Sequence, residues 1–141
     1  MSLVKALAIG ATGLSAQRTR MEVVTSNLTN AHTTRTPEGG PYRRREPVFA
    51  ARPVDSTPGE VGDLGLRSVS VVSVVEDPSP FRQRYEPGHP DADASGFVSY
   101  PNVDSVREMV DMLSATRSYE ASVTLVRSIR EMMQSALQIL A

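Results

Sequence analysis

Asp91, Ala92, Asp93, Ala94, Ser95 and Gly96 set oxygen-bearing side chains at alternate positions and close on a glycine. That is the first half of a calcium loop of the EF-hand type, with oxygen ligands at positions one, three and five and a turning glycine at six. The second half fails. Position twelve, where a bidentate glutamate is needed, is Asn102, and Pro87 and Pro90 interrupt any helix leading into Asp91. The segment therefore reads as an Asx-rich turn without a metal. His32 and His89 are the only imidazoles and neither has a second histidine at ligand spacing, so both read as loop residues in solvent. Without cysteine there is no disulfide framework, thiolate site or cysteine nucleophile. Arg43, Arg44 and Arg45 beside Tyr42 have the chemistry to grip phosphate, but Glu46 and the acidic balance of the chain favour an exposed strand end or a protein contact. Asn27-Leu28-Thr29 matches a glycosylation acceptor by chance, since it sits on a helical pattern. The sequence carries no G-x-S-x-G, H-E-x-x-H, phosphate loop or dinucleotide fingerprint. It predicts no enzyme, no cofactor, no metal and no small-molecule substrate.

The elements that carry these residues are dominated by the last forty, Asn102 to Ala141, which contain no proline or glycine. Their pattern predicts one long amphipathic helix. Ser105 and Glu108 have the S-x-x-E spacing of a capping box, and Asp104 adds negative charge at the positive end of the helix dipole. Apolar spacing of three and four traces a seam through Val106, Met109, Leu113, Thr116, Tyr119, Val123, Val126, Arg130, Met133, Leu137 and Leu140, with one slip near Arg117. At ~1.5 Å per residue such a helix is roughly 55 Å long, longer than a domain of this size is wide.

A partner seam lies at the other end of the chain: Leu3, Leu7, Gly10, Leu14, Gln17, Met21, Val24, Leu28 and Ala31 alternate by four and three without a slip. Gly10 and Gly13 cost this helix about 1 kcal/mol each relative to alanine. Either a neighbouring helix approaches closely there, or the N-terminus is frayed and orders on assembly. Asn30 is placed to cap the end.

Between His32 and Pro101 the composition changes, and all ten prolines and seven of the nine glycines fall here. Thr36 to Pro41 is a turn, and residues 42–52 are an extended run that Pro47 confines to an edge strand. After a turn at Thr57-Pro58-Gly59 comes the best strand, Leu64 to Val75, with shorter extended pieces at 82–86 and 97–100. The fold class is mainly α with a small antiparallel β insert. Residues 2–31 and 102–141 are expected to form one discontinuous helical domain resembling a coiled-coil pair, and 32–101 a second, β-containing domain.

A formal net charge of -1 and a pI near 6.1 supply no field to hold nucleic acid. Aromatic content of 5% without tryptophan implies burial spread along helices and an extended shape. No apolar run reaches the ~18 residues of a membrane span. The opening, with Lys5, an apolar run and the small Ala11, Gly13 and Ser15, imitates a secretion signal, but the heptad pattern continues through the supposed cut to Ala31.

The same residues carry a family resemblance. Ser26-Asn27-Leu28-Thr29-Asn30-Ala31 is similar to the S-N-x-x-N-A signature that closes the N-terminal helix of flagellar axial proteins. Pro101 to Asp104, Glu108 to Val110 and Arg117 to Ala121 resemble the C-terminal signature of the rod and hook branch. Pro41-Tyr42-Arg43 with Val48 and Phe49, then Tyr85-Glu86-Pro87-Gly88, Pro90, Ala92, Asp93 and Gly96, resemble the flagellar basal-body proximal rod protein family FlgC. Many axial relatives carry T-P-G-Y where this chain has His32 to Pro37, a departure that suits the proximal rod branch.

What the resemblance implies is a non-enzymatic subunit of the bacterial flagellum. It would pass through the flagellar type III export apparatus without a cleaved signal and join other rod subunits and copies of itself in the periplasmic rod, a drive shaft. The residue pattern agrees in kind, because two seams too long for one chain to bury leave apolar stripes for neighbours, each Å² worth ~25 cal/mol. The interface candidates are Leu3, Leu7, Leu14, Met21, Val24, Asn27, Leu28, Asn30, Ala31, Asn102, Val103, Met109, Leu113, Tyr119, Val123, Val126, Met133, Leu137 and Leu140. The competing reading is a soluble coiled-coil adaptor that docks partners through Arg43 to Arg45.

Overall fold

The computed structural model describes residues 3–54 and 66–140, with only the backbone of Leu140 described. The turn expected at Thr57-Pro58-Gly59, the strand start at Leu64 and the outermost helix ends at Ser2 and Ala141 lie outside the described residues. The order of elements is α1 (Leu3–Thr29), β1 (Arg45–Pro53), β2 (Arg67–Glu76), β3 (Arg82–Tyr85), β4 (Phe97–Tyr100) and α2 (Ser105–Leu140). Two long helices thus frame a small antiparallel β region, as the distribution of proline and glycine requires.

The helices pair antiparallel. Asn27 meets Glu108, Arg20 meets Asp111, the Met21 sulfur meets the Thr116 hydroxyl, and Gly10 lies against Val126, so contacts descend α1 as they climb α2. α2 has 36 residues against 27 for α1, and in this register its last two turns run past Leu3. Gly10 is buried, and a Cβ built on it would lie 2.8 Å from Val126 Cγ2, whereas one on Gly13 would meet Ser122 Oγ at an ordinary 3.8 Å. Close approach of a second helix therefore accounts for Gly10.

The seam of α2 differs from the expected one in its first half. The side turned inward runs through Glu108, Met112, Ala115, Tyr119, Ser122, Val126, Ile129 and Met133, alternating by four and three without interruption. Val106, Met109 and Leu113 instead face solvent. The slip near Arg117 came from following the exposed apolar stripe first and the buried one afterwards. A stripe of large apolar residues marks an apolar face, but the face turned inward begins at a charged residue.

The start of α2 also departs from expectation. Asp104, not Ser105, is the N-cap: its Oδ1 accepts the Val106 and Arg107 amides at 3.0 and 3.3 Å. Glu108 cannot close a capping box because its carboxylate is turned inward and is already bonded there. Asn30 ends α1 by side-chain bonds rather than a left-handed residue. Its Nδ2 donates to Ser26 O at 2.9 Å and its Oδ1 accepts from Thr33 Oγ1 at 3.2 Å.

β1 and β2 form a hairpin, in register from Arg45↔Glu76 to Pro53↔Arg67 with a bulge at Val48/Phe49. β1 is an edge strand, the position that tolerates Pro47. The hairpin lies along α1, where Thr12 Oγ1 accepts the Val69 amide at 3.3 Å. β3 and β4 form a second two-stranded sheet, Arg82↔Tyr100 to Tyr85↔Phe97. Between them Asp93 Oδ1 accepts the Ser95 and Phe97 amides at 2.8 and 2.9 Å, which makes the expected Asx turn. Gly96 completes it at φ 79°, where a Cβ would strike the Tyr85 ring at 2.8 Å.

Candidate subunit interface

Near the N-terminus of α2 four carboxylates meet on one guanidinium. Arg44 is 7% exposed, and its Nε donates to Glu108 Oε1 at 2.5 Å. Its remaining nitrogens face Glu46, Asp77 at 3.6 Å and Asp111 at 3.8 Å. Burial opposes the charge, but hydrogen bonds to Glu46 and Glu108 outweigh it and hold the Arg44 pKa above its ordinary value. Glu108 is fully enclosed, and its second oxygen accepts from Asn27 Nδ2 at 2.9 Å.

The asparagine of the N-terminal signature is saturated. Asn27 Nδ2 also donates to Arg45 O, and its Oδ1 accepts the Arg45 amide and the Tyr42 hydroxyl, all at 2.9 to 3.0 Å. Asn102 does the same from the other signature, accepting the Arg44 amide at 2.9 Å and donating to Asp77 O and Ser79 O. The two motifs thus clamp one segment, 42–46, against both helices. Ala31, Tyr42 and Val103 close an apolar plug beside it.

Of the arginine cluster only Arg45 stays exposed, and all three side chains are engaged within the chain. Arg43 donates to Asp77 O and Ser79 O and lies over the Phe81 ring at 4.2 Å, and Arg45 stacks over Tyr42 and pairs with Glu76. Asp91 likewise serves Thr34 and Arg35. Nothing in the spacing of Arg44 and Glu108 could have paired them, because they are distant in sequence and their meeting depends on the loop between.

Of the expected interface residues, Val24, Asn27, Ala31 and Val103 are buried within the chain. Leu3, Leu7, Leu14, Met21, Leu28, Asn30, Asn102, Tyr119, Val123, Val126 and Met133 are partly covered, many of them on the α1–α2 seam. Met109, Leu113 and Leu137 are exposed, and the side chain of Leu140 lies outside the description. Sequence reasoning placed Val106 on the seam but missed Val110, Leu125, Met132 and Ile139. Val106 at 72%, Val110, Leu125, Met132 and Ile139 at 85% join Met109 and Leu113 as exposed apolar residues along α2. At 100° per residue Val106, Val110 and Leu113 fall on the side of α2 opposite Glu108 and Ala115, whereas Leu125 and Met132 lie within about 60° of Ile129, on the flank of the covered side. α2 thus exposes apolar residues opposite its covered side in its first three turns and beside that side further along.

Comparison with known proteins supplies the relatives of a chain built this way. Residues 7–35 match the family model described as flagella basal body rod protein, and residues 94–139 match that of the flagellar basal body rod FlgEFG protein C-terminal region. A "Flagellar basal-body rod protein FlgC" of Borreliella burgdorferi is 44% identical over 150 residues, covering 99% of both chains. The chain belongs to the FlgC family. FlgC of Salmonella typhimurium is 42% identical over 137 residues, 97% of each chain, and FlgC of Bacillus subtilis 41% over 149, 99% of each. The matched segments contain both asparagine clamps, Asn27 and Asn102, which lock 42–46 to the helix pair.

Proposed function

We propose that this chain is a structural, non-enzymatic subunit of the bacterial flagellar basal-body rod, joining other rod subunits and copies of itself in a periplasmic shaft that transmits torque. Membership of the FlgC family supports the rod role. The observation that carries the assembly mode is the exposed set Val106, Val110, Leu113, Leu125, Met132 and Ile139, large apolar side chains spread along α2 that the chain leaves uncovered. Neighbouring helices seated on them repeat the same contact from subunit to subunit, which builds a helical tube. In this reading residues 2–31 and 102–141 form the shaft-building unit and 32–101 a separate one that selects neighbours. The chain reaches the periplasm through the flagellar type III apparatus with its N-terminal helix retained.

The test places charge on the exposed set without touching the interior. Val110→Asp with Leu125→Asp leaves the helical circular dichroism of the purified chain unchanged, and bacteria carrying it in place of the native gene lose motility and yield basal bodies without the subunit. Normal swimming with the variant recovered in purified rods would refute the assembly mode.

A further inference from the structure

Both helix seams repeat every seven residues without interruption, and that regularity poses a problem of register. Sliding α2 along α1 by one heptad returns seam positions to seam positions, so apolar interdigitation alone distinguishes poorly between alignments. Gly10 against Val126 is one steric cue, but apolar side chains repack at modest cost. Glu108 has no such latitude. It is a seam residue, fully buried, and its two oxygens take Arg44 Nε and Asn27 Nδ2, one from the 42–46 segment and one from α1.

We propose that the Asn27–Glu108–Arg44 cluster fixes the register of the α1–α2 pair and makes that register conditional on docking of the 42–46 segment. In an alignment slid by a heptad Asn27 faces a different α2 residue and Glu108 loses both Asn27 and Arg44, meeting Arg20 in one direction and running past the end of α1 in the other. A single buried polar position specifies alignment in coiled coils by the same physics, at some expense of stability. Here the specifying charge is answered from a third segment. Arg44 is delivered by the Asn27 side chain, which bonds the amide and carbonyl of Arg45, and by Asn102 Oδ1, which accepts the Arg44 amide, so the helices find their alignment only with the loop in place. This inference stands on the geometry within one chain and does not depend on the proposed assembly role.

The absence of cysteine makes the test clean. Gly13→Cys with Ser122→Cys reports the observed register, the glycine's Cβ position lying 3.8 Å from Ser122 Oγ. Gly13→Cys with Ala115→Cys, or with Ile129→Cys, reports a slide of one heptad either way. In the native background only the 13/122 pair closes on mild oxidation of the dilute monomer. In an Arg44→Met, Glu108→Leu background the chain stays helical, and closure of the slid pairs rises about tenfold, the factor given by each ~1.4 kcal/mol of register preference removed. Closure confined to 13/122 in that background would overturn the proposal. If the double replacement does not fold, Glu108→Gln replaces it with the shape of the side chain kept, and the same two outcomes apply. Loss of fold in both backgrounds also overturns the proposal, because a register device predicts a pair that folds and slides.

Discussion

Gly10 and Val126 meet where α1 and α2 leave no room for a β-carbon, 2.8 Å from the glycine's Cβ position to Val126 Cγ2. Gly10→Val is expected to cost about 1–3 kcal/mol by overpacking, the helices or Val126 giving way to make room. Val126→Ala in the same chain opens the space and recovers part of that loss. Urea denaturation of the two single variants and the double measures the coupling, and strictly additive effects would show that the contact is slack.

Glu108 is expected to be the most costly single truncation at the α2 N-terminus. Glu108→Ala strands Arg44 in the interior, which costs about 3 kcal/mol, the low end of the range for a broken buried pair because Glu46 and Asp77 remain beside it. Glu120→Ala, on the exposed side, stays within about 0.5 kcal/mol. Chemical denaturation of the two variants under one buffer condition gives the comparison, and equal midpoints would contradict the buried cluster.

Asp77 gives the acid limb of stability its sign. Hydrogen bonds from the Ser79 hydroxyl and amide, then the Arg44 charge, hold its pKa below the ordinary 3.8. A carboxylate whose pKa is lowered on folding adds stability that is present above 3.8 and is lost as pH falls through the lowered value. Asp77→Asn is therefore less stable than the parent at neutral pH, and the difference closes in strong acid. Thermal melts across pH 2 to 7 test it, and a constant difference over that range would be inconsistent with the assignment.

The last two turns of α2 contribute little to the isolated chain. Leu137→Ala and Ile139→Ala, both on exposed side chains, shift its stability by less than about 0.5 kcal/mol. Ile129→Ala, on the covered side, costs about 2–5 kcal/mol. Denaturation midpoints separate the two sets, and a large loss at Leu137 would place the end of α2 against α1.

Much of the fold was legible because its causes are local. Proline and glycine confined to the middle announced the two helices, Pro47 announced an edge strand, and Asp93 with Gly96 announced a turn. The second half of the α2 seam, Val126 and Met133, followed from periodicity. What escaped the sequence was non-local. The spacing from Ser105 marks Glu108 as a helix cap, whereas its partners lie on α1 and on the loop after it. Arg44 was taken for surface charge because three arginines in a row are ordinarily solvated. Both errors have one origin: a charge at a seam position is unintelligible until its counter-charge is located, and that charge comes from a remote segment.

The antiparallel pairing also sets how the chain bears load. Leu3 and the end of α2 lie at the same pole, and the Arg44 cluster lies at the other, as the closed end of a zipper does. A pull on the two ends peels the helices apart one rung after another and reaches the charged knot last. A pull along the common axis, from opposite poles, strains every rung at once.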